Sequence, residues 1–115
     1  LILQLQELEQ ATGKLIQVGL EPEPDCLLDS TDSICEFFCE QLRRHCKQPL
    51  EVQNRYLGVC LDTCHLAVLC ESPTKCLQKL RQKQIPVVKI PAGGEGFLIA
   101  RLVMFLFRNA RRWVG

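Results

Sequence analysis

Three short apolar runs, separated from one another by helical patterns, constrain this chain more than any other feature. They cover residues 14–20, 56–61 and 85–90. Near-continuous hydrophobicity, rather than strict alternation, marks strands covered on both faces, the pattern of a parallel sheet with helical crossovers. The order strand, helix, strand, helix, strand predicts three parallel strands in chain order. Right-handed crossovers then place the helices on one face.

The intervening segments carry helix signals. Leu1, Leu5 and Leu8 recur at helical spacing, and Gly13 is placed to stop that helix. Glu21 closes the first run, and Pro22 and Pro24 keep the next residues irregular because neither can donate a backbone hydrogen bond. Ser30 or Thr31 can cap the following helix, with Asp32 complementing its dipole. Ile34, Phe38 and Leu42 form its apolar face, with Cys35, Cys39 and Cys46 alongside, and Arg43, Arg44 and Lys47 favour its C-terminal end. Pro49 ends it, and residues 50–55 read as a connector. Ser72 and Pro73 then supply a capping hydroxyl and a proline at the first helical position, with Leu77 and Leu80 facing inward.

The polar residues at the strand ends are the chemical candidates. In a parallel sheet those ends share one edge, so Glu21, Asp62, His65 and Lys89 can converge. Asp62 and His65 offer a carboxylate and an imidazole three residues apart, a pair suited to zinc, manganese or iron. The plain alternative has Asp62 capping the next helix and His65 as an ordinary loop histidine, and spacing alone leaves the two readings level. Lys89 reads equally as a substrate or phosphate contact and as a solvated lysine. Glu23 competes with Glu21 but lies between prolines in a loop, and His45 reads as a surface histidine late in a helix.

The full string is more specific than the pair. LGVCLDTCHLAV (57–68), preceded by LEPEPDCLLDST (20–31) and followed by IPVVKI (85–90), resembles the xylose-isomerase-like TIM-barrel superfamily. Endonuclease IV and the sugar-phosphate isomerases and epimerases belong to it. The chain is most similar to its EboE-type metabolite-traffic proteins. The resemblance covers residues 14–90 and ends there, where the family continues with a glutamine and this chain has Pro91 and a glycine-rich loop.

The resemblance implies a partial TIM barrel in which Glu21, Asp62 and His65 hold a divalent metal, zinc or manganese; Lys89, from its place at the third strand's end, is the candidate catalytic contact to the substrate. The implied partner is a small-molecule metabolite, processed or trafficked. The superfamily completes its coordination from later strands, which this chain lacks. A non-catalytic truncated fragment or binding module is therefore the first alternative, and a sugar-phosphate isomerase or epimerase the second. A complete eight-fold barrel needs about 250 residues, more than the 115 present. The chain also opens at Leu1 within a helical pattern, so we expect an internal piece of a larger protein or the product of a broken reading frame.

Composition narrows the setting. The 47% hydrophobic content suffices for one core, and the net charge of +1 gives no reason to invoke nucleic acid. Eight cysteines are enough for a disulfide framework. Cys35 and Cys39 fall on a helix and Cys60 within a strand, however, which are positions for small buried thiols in a reducing cytoplasm. Two regions follow: a barrel segment over residues 1–90 and a divergent tail over 91–115, expected to be helical. Its apolar stretch, residues 97–107, is too short to span a bilayer, and a helix packed on the sheet is preferred to one at a membrane surface. Apolar sheet surface left open in a partial barrel would favour self-association.

Overall fold

The structure is a computed structural model that describes residues 1–90; the tail expected to be helical lies outside the described residues. Strands β1 (Val18–Leu20), β2 (Leu57–Cys60) and β3 (Val87–Lys89) form an open three-stranded parallel sheet in the order β1-β2-β3. Helix α1 (Ile2–Thr12) precedes β1, and α2 (residues 31–45) and α3 (Leu50–Tyr56) lie between β1 and β2. Helices α4 (Thr63–Val68) and α5 (Pro73–Gln82) lie between β2 and β3. The fold is thus mixed α/β, with its parallel strands in chain order.

Each strand is shorter than its apolar run, because a ladder exists only where a partner backbone is present. Val18 pairs with Leu57, and the residue before Leu57 ends α3, so residues 14–17 meet no strand partner among the described residues. Leu15 and Ile16 are each 45% exposed as a result. Tyr56 likewise belongs to α3, and Ile85 is buried in the core but joins no ladder, its N–H bonding the Leu80 carbonyl at 2.9 Å.

Alternation along the strands separates two faces. Leu20, Leu57, Val59 and Leu61 enter one apolar core with Ile2 and Leu5 of α1, Ile34, Cys35 and Phe38 of α2, Leu66 of α4, and Cys76 and Leu80 of α5. Val18 and Val87 pack against that core. Gly19, Gly58, Cys60 and Val88 belong to neither group and meet one another on the opposite face. The helices therefore cover one side of the sheet.

Several local expectations need correction. Residues 50–55 are helical rather than a plain connector: α3 buries Gln53 and Tyr56, three apart, on one side. Leu77 is 37% exposed, because Cys76 and Leu80, four apart on α5, take the inward stripe. In α1, Ile2 and Leu5 turn inward while Leu1 and Leu8 stay exposed. Gly13 does end α1, in the left-handed conformation at φ 68°, its N–H closing on the Glu9 carbonyl. Helix α2 winds as an α-helix over Thr31–Glu36, as a π-helix over Phe37–Leu42, and ends over Arg43–His45. The wider turn brings the Arg43 N–H to the Phe38 carbonyl. Ser30 caps α2 with a reciprocal bond to Ser33, whereas the Ser72 side chain makes no cap bond to α5.

Candidate metal centre

Glu21 is the residue after β1, and Asp62 is two residues after β2. The parallel register sets Leu20 beside Val59, so both carboxylates leave the sheet at its C-terminal edge. Asp62 opens α4, whose first turn carries His65 back over that edge. One ligand-type atom each from Glu21, Asp62 and His65 lies within 4.8 Å of the other two. These three are the candidate metal ligands named from the sequence, and the fold brings them together.

His65 Nδ1 and Glu21 Oε1 approach to 3.1 Å. Their alignment is not that of a hydrogen bond, and buried Nδ1 has no hydrogen-bond partner among the described residues. Asp62 Oδ1 accepts from the Cys64 N–H at 2.7 Å, so Asp62 does cap α4. Capping and metal ligation are compatible, since a carboxylate has two oxygens and about four acceptor sites. Two carboxylate oxygens and a buried imidazole nitrogen that makes no hydrogen bond form a donor set that fits zinc or manganese.

The Glu21 side chain is only 9% exposed, and that burial is the main cause of its carboxyl being raised above the usual range. The charges of Asp62 and Glu23 push it the same way, while His65 and Lys89 oppose the shift. A cation at the cluster would act in the same direction as His65 and Lys89 and offset the repulsion between the acids. Glu23 does not join the group. Its N–H bonds the Leu28 carbonyl at 2.9 Å, and its carboxylate accepts from the Cys26 thiol at 3.8 Å.

Lys89 reaches the same edge by an irregularity in the β2–β3 pairing. Val59 pairs with Val87, but Cys60 pairs with Lys89, so Val88 is an extra residue in β3. In even register Lys89 would stand beside Leu61, on the core side. The bulge instead sets it beside Cys60, on the face away from the helices. Cys60 is 4% exposed, and its thiol is pushed up to about 11, mainly by burial and next by the Glu21 charge. It is a protonated, inert neighbour of the centre. His45 is exposed and belongs to no metal-type cluster among the described residues.

The roles of Val88 and Cys60 at this edge were not anticipated. A signal was available in Gly19 and Gly58, since a glycine inside a strand marks close approach of another chain segment. Compared with protein families, curated proteins and solved structures, the chain matches none. Among the described residues no helix is long and apolar enough to cross a membrane.

Proposed function

We propose that this chain is a sector of a metal-dependent, xylose-isomerase-like α/β barrel that processes or carries a small metabolite. The observation supporting this most directly is the convergence of Glu21, Asp62 and His65 within 4.8 Å at the C-terminal edge of a parallel sheet. That edge is where barrel enzymes of this architecture place their chemistry. Helices on one side of the sheet and small residues on the other also agree with a barrel sector, whose helices lie outside.

In this reading Glu21, Asp62 and His65 hold zinc or manganese. Three protein ligands leave coordination positions open, to be filled by later strands of the whole barrel and by the metabolite. A metal there supplies Lewis acidity toward a carbonyl or hydroxyl oxygen, or toward water. Asp62 keeps its place by capping α4, which also fixes the start of the helix that presents His65. Lys89 offers a positive charge to an anionic or polarised oxygen of the metabolite. A reducing, cytoplasmic setting suits Cys35 and Cys60, buried as small thiols, and Cys76, buried against Thr31 and Glu71, all three raised chiefly by burial.

Metal content of the purified protein, after loading with zinc or manganese and removal of free ion, tests the proposal. One equivalent lost on chelation is expected. Retention of no metal would leave Asp62 and His65 as a helix cap and a loop histidine.

A further inference from the structure

Val88 of β3 reaches across β2 to β1. A Cβ at Gly58 would fall 2.5 Å from Val88 Cγ1, and a Cβ at Gly19 would fall 2.8 Å from Val88 Cγ2. Both distances are shorter than real Cβ atoms tolerate, so one γ-methyl of Val88 occupies the room each glycine leaves. Gly19 and Gly58 are register partners, so they form a single notch across two strands.

This contact demands a curled sheet. Neighbouring strands lie about 4.8 Å apart, so β1 and β3 in a flat sheet would stand roughly 10 Å apart, beyond the reach of a valine. The contact exists because β3 bends over β2 toward β1. The bend has a local cause in the extra residue at Val88, since bulges bend and twist the strand that carries them. The same bulge aims Val88 into the notch and sets Lys89 beside Cys60.

We infer that Val88 is a positioning residue for the metal centre: by filling the Gly19–Gly58 notch it sets the curl of the sheet, and so the angle at which Glu21 leaves β1 toward Asp62 and His65. The inference rests on the metal-binding reading above. Glu21 is two residues beyond Gly19, and Asp62 is four beyond Gly58, so a change of curl at the notch moves the two carboxylates relative to each other. Val88 touches no ligand in this scheme and acts only through strand geometry.

Cobalt(II) titration of the full chain, followed by visible absorption, tests this, with far-UV circular dichroism and urea midpoints reporting the fold. Gly19→Ala should lower cobalt affinity about 10-fold or more, the size usual when a ligand loses its support. Val88→Ala should lower it by a smaller factor and alter the cobalt spectrum. The double variant Gly19→Ala/Val88→Ala should bind better than Gly19→Ala, because the contact under 3.0 Å is gone and only the Cys60 contacts, Cβ at 3.1 Å and N at 3.3 Å, remain. Gly58→Ala should gain nothing from Val88→Ala, because the Pro86 carbonyl oxygen would still be 2.6 Å from the new Cβ.

Rescue of cobalt affinity confined to Gly19→Ala, beyond any recovery of the urea midpoint, separates positioning from general destabilisation. Unchanged cobalt affinity and spectrum in a folded Val88→Ala protein would overturn the inference, as would a folded double variant no better than Gly19→Ala. If Gly19→Ala fails to fold, Val88→Ala alone decides. Absence of cobalt binding in the unsubstituted protein would instead sink the metal-binding reading, and this inference with it.

Discussion

Glu71 accepts from both the backbone N–H and the hydroxyl of Thr31, 40 residues earlier, joining the start of α5 to the start of α2. The Thr31 hydroxyl also lies 3.1 Å from Cys76 Sγ, and that thiol is 3.2 Å from Glu71 Oε2. A carboxylate at a helix N-terminus meets unpaired N–H groups and the positive end of the dipole. Ser30 serves one of those donors in α2, and Glu71 serves another from outside.

Replacing Glu71 with alanine should therefore cost about 1–3 kcal/mol, since Thr31 is 4% exposed and its N–H would lose its partner. The check is a lower urea midpoint at unchanged m-value. Glu71→Gln, which keeps an acceptor oxygen, should cost less.

Cys70 and Gln84 hold left-handed backbone conformations, each at φ 54°. Both close the helix before them: the Glu71 N–H bonds the Leu66 carbonyl at 2.8 Å, and the Ile85 N–H bonds the Leu80 carbonyl at 2.9 Å. This is the Schellman arrangement, where glycine is the usual occupant because a Cβ costs about 1 kcal/mol in this conformation. Cys70→Gly and Gln84→Gly should each raise stability by about 0.5–1 kcal/mol. Thermal or urea unfolding of the single variants measures it, and a loss of stability in both would contradict the assignment.

The Glu9 carboxyl is held below the usual range, first by the hydrogen bond from Arg55 and next by the one from the Tyr56 hydroxyl, at 2.5 Å. A carboxylate with a lowered folded pKa stabilises the fold fully above its unfolded value of about 4.3, and loses that contribution as pH falls through the folded value. Glu9→Gln should therefore be less stable than the natural chain at neutral pH, and the gap should close on acidification. Urea midpoints measured at about pH 7 and about pH 3 would show it. Parallel pH dependences would rule Glu9 out as the responsible group.

The parallel order of the strands was legible because three apolar runs alternate with capped helical segments, and the place of Glu21, Asp62 and His65 followed from strand ends sharing an edge. The sequence did not disclose where pairing stops. That depends on where α3 ends against β1, and α3 itself is only 7 residues long and buries the polar Gln53. Nor did it disclose the bulge at Val88, which lies in the register of β3 against β2. The turns at Cys70 and Gln84 were hidden for a simpler reason, since neither position holds the glycine that would announce it.

His65 is the pivotal ligand of the proposed centre, its buried Nδ1 3.1 Å from Glu21 Oε1 without a hydrogen bond. The decisive measurement is zinc or cobalt affinity in His65→Ala beside His45→Ala, the second being the exposed histidine outside the cluster. We predict that His65→Ala loses metal binding by about 10-fold or more while His45→Ala binds as the natural chain does, since metal sites depend on each ligand and its support to at least that extent. Equal affinity in the two variants would contradict the metal centre and reduce Asp62 and His65 to the opening turn of α4.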